Sequence, residues 1–239
     1  MLYYQEVWTW IFSKLLTFFY KLSFQGQCVF EEQQKLYQKF AGVYNELILS
    51  AIESCKQDPF NFFCQKLEEV VEDKEKAVLL DYGCGTGLVA HEYLIQQFGF
   101  KTIDGTEPCK DMLEVARRKG SMRNLYAIGS RDDHSQLPQK EYDVVFANGV
   151  FFVSLSHPDL SCISKLCNLV KKGGYIIINT SETYTKNLNM EPVEELERQG
   201  KLKILPNFYY EGYRKSIPEE VAKYGEYIKG VLFKFQVIC

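Results

Sequence analysis

The sequence lacks the cysteine patterns that hold metals. Eight cysteines, at 28, 55, 64, 84, 109, 162, 167 and 239, include no C-x-x-C pair and no Cys/His cluster with zinc spacing. No metal is expected. Cys84 and Cys109 fall in turns read below as ligand-binding, where a disulfide would be hard to accommodate. The thiols are read as free and the compartment as reducing, which makes a cytoplasmic location the expectation. No basic run exceeds Arg117-Arg118-Lys119, at a helix end where the dipole favours cations. With a formal net charge of −3, no nucleic-acid partner is expected. Internal repeats and low-complexity tracts are missing too. What is present is 239 residues, 46% apolar and 25% charged: one α/β-sized domain with a real core, plus an extension.

The first 34 residues form that extension, an aromatic-rich stretch ahead of a domain at 35–239. Sixteen of residues 1–24 are apolar. A signal peptide wants a basic start, yet the first charge is Glu6 and no small-residue cleavage site follows. A membrane span wants about 20 apolar residues without charge, and Lys14 and Lys21 interrupt this one. Ser13, Lys14, Thr17 and Lys21 share one helical stripe, so an amphipathic helix is one reading. Such a helix lies on a membrane surface, giving peripheral membrane contact, or docks on the domain. A lineage-specific start is the third reading.

The chain is organised around one stretch. Residues 77–80 read as a buried strand, followed by Asp81-Tyr82-Gly83-Cys84-Gly85-Thr86-Gly87 and an opening helix. The three glycines remove Cβ atoms where the backbone turns and where a ligand must approach it closely. The helix then presents its first amides toward that ligand. The spacing is G-x-G-x-G, not the dinucleotide fingerprint G-x-G-x-x-G. Leu88 stands where that fingerprint puts its third glycine, which disfavours a pyrophosphate site and an NAD(P)-dependent oxidoreductase.

Around this turn the elements alternate. Residues 31–53 have helical period, with 36, 37, 40, 44, 47 and 48 on one face. Residues 64–71 continue as helix. Residues 88–98 form the helix after the turn, with Gly99 as its C-cap. Strands follow at 100–107, 124–128, 142–150 and 175–180. Pro158 suits the first position of a helix whose core face runs to Val170. Gly173-Gly174 turns the chain into the fifth strand. A charged helix at 192–200 precedes strands at 201–213 and 230–237. Glu107 lies 20 residues after Gly87, close to where a nucleoside site in an α/β sheet wants an acid. An ionised carboxylate there accepts two hydrogen bonds from ribose hydroxyls. On residues alone, Glu107 could instead cap the next helix, with Asp104 as the ribose acid.

The stretch Asp81-x-Gly83-x-Gly85-x-Gly87 resembles motif I of class I S-adenosylmethionine (AdoMet)-dependent methyltransferases. Gly105-Thr106-Glu107-Pro108-Cys109-Lys110-Asp111-Met112-Leu113 resembles the family's G-x-D-x-S-x-x-M-L, which places Glu107 on the ribose acid and Met112 beside the adenine. Tyr37-x-x-Phe40-Ala41-x-x-Tyr44-Asn45 resembles Y-x-x-W-A-x-x-Y-D, a helix that closes over the cofactor in relatives. Tyr142-Asp143-Val144-Val145 resembles F-D-x-V, and Lys171-Lys172-Gly173-Gly174 resembles K-P-G-G. Within the superfamily, the chain is similar to the methyltransferase-like group named for the Williams–Beuren syndrome chromosome region. The resemblance covers about 35–239. It implies an α/β, Rossmann-like seven-stranded sheet with helices on both faces and an antiparallel C-terminal hairpin. It also implies AdoMet as cofactor, and Tyr37, Tyr44, Asp81, Gly83, Cys84, Gly85, Thr86, Gly87, Glu107, Pro108, Met112, Ser130, Arg131 and Asn148 as its site. Ser130 and Arg131 stand where relatives place an acid beside the adenine amino group, so that acid is displaced here.

The implied activity is methyl transfer to a small-molecule or protein acceptor. The alternative is an inactive AdoMet-binding interaction module. The donor is already activated, so alignment and exclusion of water do most of the chemistry and no catalytic residue is assigned. Should an acceptor N–H or O–H need a base, His157 and His134 are the candidates.

Overall fold

The computed structural model describes residues 30–152, 157–185, 188–216 and 218–239. The readings given for residues 1–24 lie outside them. Seven strands form one sheet: β1 (Val78–Tyr82), β2 (Thr102–Thr106), β3 (Leu125–Tyr126), β4 (Tyr142–Asn148), β5 (Val170–Ser181), β6 (Leu202–Lys215) and β7 (Tyr227–Val237). Their order is β3-β2-β1-β4-β5-β7-β6. The first five run parallel, and β7 is antiparallel to both β5 and β6. This is the expected Rossmann-like class I sheet with its antiparallel tail. Strand order reverses between β1 and β4, so a crevice opens at their carboxyl ends, the place where such sheets bind ligands.

Burial of the central strands fixes that crevice. Leu79, Val144 and Phe146 point to one face, against Phe63 and Leu67 of helix α3 (Pro59–Glu68) and Ala90 and Leu94 of a π-helical segment, Val89–Ile95. Leu80 and Val145 point to the other face. There they meet Ile163 and Leu166 of α5 (Ile163–Leu169) and Val193 and Leu196 of α7 (Glu191–Arg198). Each fully buried large side chain contributes about 1.5–3 kcal/mol. The remaining described helices are α1 (Phe30–Phe40), α2 (Tyr44–Glu53), α4 (Lys110–Lys119), α6 (Glu182–Thr185) and α8 (Pro218–Tyr224).

Local chemistry explains where the elements depart from expectation. The single helix expected over 31–53 is two, broken at Gly42, a poor helix former. Helix α3 begins earlier than residue 64 because Asp58 caps it, accepting from the amides of Phe60 and Asn61, with Pro59 at the first position. Asp159, not Pro158, marks the helical start further on, accepting from Ser161 N at 2.9 Å. Gly173-Gly174 does not end a helix but runs inside β5; a Cβ on Gly174 would lie 2.6 Å from the Asp143 carbonyl. Helix α8, between β6 and β7, carries no strong periodic signal and was not expected.

The turn after β1 is sterically exact at Gly83. Its φ is +78°, and a Cβ there would lie 2.7 Å from Val150 Cγ2. Gly83→Ala is expected to lower stability by about 1–3 kcal/mol, seen as a reduced urea midpoint at unchanged slope. Adding Val150→Ala should recover the steric part and leave the backbone part. A single variant as stable as the parent would contradict this packing.

Candidate cofactor site

The glycine turn is stapled to the end of β2. Gly83 N and Cys84 N both donate to the Thr106 carbonyl, at 2.9 and 2.8 Å. The next residue on β2 is Glu107, whose carboxylate bridges two elements. Oε2 accepts from Gly85 N at 3.0 Å, and Oε1 from Cys109 N, ahead of α4, at 2.8 Å. Each oxygen keeps a lone pair for a ligand. The helix-capping reading and the ligand-acid reading of Glu107 therefore coexist. Asp104, the other candidate acid, is committed elsewhere. It is fully buried, holds Arg123 through two bonds of 2.9 and 2.7 Å, and accepts from Tyr142 Oη at 2.9 Å.

A cleft enclosing about 930 Å³ of empty space, open solvent included, lies over this turn. Of the expected residues, Tyr37, Tyr44, Gly83, Cys84, Gly85, Thr86, Glu107, Pro108, Met112, Ser130 and Asn148 line it. Gly85 has φ +55°, and a Cβ there would meet nothing within 4 Å. That space is what a closely seated ligand needs. Thr86 Oγ1 donates to Asn45 Oδ1, which ties α2 to the turn. Tyr37 of α1 and Tyr44 of α2 meet edge to face at 6.4 Å, and both line the cavity.

Three expected residues do not line the cavity. Asp81 is buried inside β1, paired with Gly105 and Phe146, two residues short of Glu107 and Asn148 on the neighbouring strands, which do reach the cavity. Gly87 instead lets the helix come close to its neighbour; a Cβ there would be 3.3 Å from Ala116 Cβ. Arg131 lies against the Phe30 ring at 4.8 Å, outside the cavity wall. The displaced acid, Asp132, accepts from Gly129 N at 2.7 Å and so shapes its own loop.

The electrostatics suit a cation. Burial pushes the Glu107 carboxyl up to about 7. Burial, then the nearby Glu107 charge, pushes Asp81 well above its ordinary range. Among the described residues none donates a hydrogen bond to Asp81, and no Lys or Arg lines the cavity. Two desolvated carboxylates without a cation favour a ligand that brings positive charge. Burial, with Asp81 and Glu107 nearby, also raises the Cys84 thiol well above its ordinary value.

The histidines divide. His134 Nε2 meets Tyr82 Oη at 3.0 Å and its Nδ1 meets the Asp132 carbonyl at 3.0 Å, so both nitrogens serve the core. His157 lines the cavity beside Gln33, 2.9 Å from its Nε2, and Phe152. Burial lowers it to about 3, too weak a base for proton abstraction at neutral pH. Gln33, Phe30 and Phe60 also line the cavity and were not expected. Gln33 could have been found, since it lies one turn before Tyr37 on the same helix face.

Residues 79–174 match the family described as a methyltransferase domain. The chain is 31% identical over 151 residues to malonyl-[acyl-carrier protein] O-methyltransferase 2 of Ilyobacter polytropus, covering 62% of this chain and 54% of that protein. It is 26% identical over 167 residues to an uncharacterized methyltransferase of Geobacillus sp., covering 69% and 75%. The chain spans about half the length of the malonyl-[acyl-carrier protein] O-methyltransferases that it matches. Among solved structures, the cyclase SpnF superposes with a TM-score of 0.61 at 14% identity, over 89% of this chain and 98% of that one. An S-adenosylmethionine-dependent methyltransferase of Mesorhizobium loti superposes at 0.50 and 13% identity, over 72% and 96%. These superpositions establish the fold.

The state of Glu107 sets a pH dependence. With its carboxyl at about 7 in the free protein, ligand hydroxyls that donate to the ionised form must first drive off a proton. AdoMet affinity is expected to rise between pH 5.5 and 7.5, by up to about tenfold per unit, and then level off. Calorimetry across that range should find Glu107→Gln weaker and flatter. In the free protein the folded state holds this proton more tightly than the unfolded chain. Its stability contribution therefore falls as pH rises from 4.5 toward 7.

Proposed function

We propose that this chain, which carries a class I AdoMet-dependent methyltransferase domain, binds AdoMet over its glycine turn and moves the methyl group to a small-molecule or protein acceptor. The observation that carries the reading is the pair of buried carboxylates, Asp81 and Glu107, flanking a turn whose Gly85 leaves room for a ligand. AdoMet supplies a sulfonium-activated methyl group and the positive charge that the carboxylates lack.

The protein's own residues then bind, orient and exclude water. Glu107 holds the ribose hydroxyls through the lone pairs left by Gly85 and Cys109. Pro108, Met112 and Ser130 form the adenine end. Asp81 contributes field from beneath the turn, without contact. Tyr37 and Tyr44 close the opening from α1 and α2. Fixing nucleophile, methyl and sulfur in line is worth about 7–11 kcal/mol in favourable cases, which leaves little for side-chain chemistry. His157 acts as a neutral partner of the lid. The subgroup resemblance is retained as part of this proposal. So is the acceptor class, in keeping with relatives whose names specify O-methyltransferases and a ribosomal protein L11 methyltransferase.

Calorimetric titration of AdoMet into the parent and Glu107→Ala tests the reading. Losing the charge-assisted hydrogen bonds should weaken binding about ten- to a hundredfold, or about 1.5–3 kcal/mol. Gly85→Ala, which meets no atom within 4 Å and carries only the strain of φ +55°, about 1–2 kcal/mol, should fold and yet bind less well, since its methyl group enters the ligand's space. Labelled methyl from AdoMet should then appear in the small-molecule or protein fraction of a cell extract. A folded parent protein that binds no AdoMet would sink the proposal.

A further inference from the structure

Asn148, at the end of β4, belongs to a buried relay that begins outside the cofactor site. Tyr210 Oη, on β6, donates to Asn179 Oδ1 at 2.9 Å. Asn179 Nδ2, on β5, donates to Asn148 Oδ1 at 2.6 Å. Asn179 is fully buried and Tyr210 is 6% exposed, so neither has water to fall back on. The direction of the relay follows from that burial. Turning both amides over would leave the Tyr210 O–H with no acceptor among the described residues, at a desolvation cost. The Asn148 oxygen is therefore committed to Asn179. Its N–H pair makes no bond to the described residues, and Asn148 lines the cavity.

The register places this donor opposite the ribose acid. β1 pairs Tyr82 with Thr106 on one side and Asp81 with Phe146 on the other. Carried forward, Glu107 and Asn148 flank Gly83 on the sheet face that Asp81 shares. They are two strand spacings, roughly 10 Å, apart. One end of the cavity thus offers an acceptor and the other a fixed donor.

We propose that Asn148 donates a hydrogen bond to a ligand oxygen at the end of β4, with Asn179 and Tyr210 as positioning residues that fix its direction. This rests on the AdoMet reading of the cavity. The ligand group is an oxygen with a free lone pair, not an ammonium or amine N–H. It comes from one of two sources, the carboxylate of the cofactor's amino-acid portion or the methyl acceptor.

Asn148→Asp is the discriminating variant. It keeps the oxygen that Asn179 needs and replaces only the donor. S-adenosylhomocysteine and 5′-methylthioadenosine, which lacks the carboxylate, are titrated into the parent, Asn148→Asp and Tyr210→Phe. Malonate, a small carboxylate, is titrated into each S-adenosylhomocysteine complex, with thermal melts as the folding control. If the oxygen is the cofactor's, Asn148→Asp weakens S-adenosylhomocysteine by about tenfold or more and leaves 5′-methylthioadenosine unchanged. If it is the acceptor's, both nucleosides bind as before and malonate binding is lost. In either case Tyr210→Phe shifts the same ligand in the same direction by less. A purely structural Tyr210 would not separate ligands with and without the carboxylate. Asn148→Asp without effect on all three ligands overturns the proposal. A folded parent that binds neither nucleoside sinks the AdoMet reading instead.

Discussion

The site depends on one buried carboxylate. Glu107 takes an amide from the glycine turn and another from the residue ahead of α4. Without it the glycine turn would keep its hydrogen bonds to Thr106 at the end of β2 but lose its bond toward the start of α4. The same group remains half-protonated near neutrality because burial opposes its charge. Burial and ligand thus pull one ionisation in opposite directions, while the two backbone amides favour the same charged form as the ligand.

Much of this was legible in the sequence because it lies in residues close together along the chain. Gly83, Gly85 and Gly87 each take a positive φ, a requirement that glycine itself announces. Strands β1 and β4 carry apolar runs because both faces are covered, whereas β2, Thr102-Ile103-Asp104-Gly105-Thr106, does not and was legible from its place after the glycine turn. Glu107 could be narrowed to two candidates by spacing. Only the structure shows Asp104 committed to Arg123 and Tyr142, partners 19 and 38 residues distant.

What remained hidden depends on contacts between distant segments. Asp81 and Gly87 belong to the motif, yet one is buried inside β1 and the other is set against Ala116. No spacing rule separates a glycine that admits a ligand from one that admits a helix. His157 and His134 look alike as isolated histidines; Tyr82 and Gln33 give them different surroundings. The relay from Tyr210 to Asn148 joins β6, β5 and β4, and nothing in any of the three strands alone points to it.

Cys84 gives burial at this site a second meaning. The residue lines the cavity that would hold an electrophilic methyl donor, but its sulfur is buried against Gly105, where a Cβ would lie 2.8 Å from it. As a thiolate it would be a ready nucleophile. Burial first, and Asp81 and Glu107 after it, keep it a thiol. Burial of the sulfur, ahead of either charge, therefore protects the protein from being alkylated by its own donor, so neutralising a carboxylate would loosen the ligand and leave this cysteine a thiol.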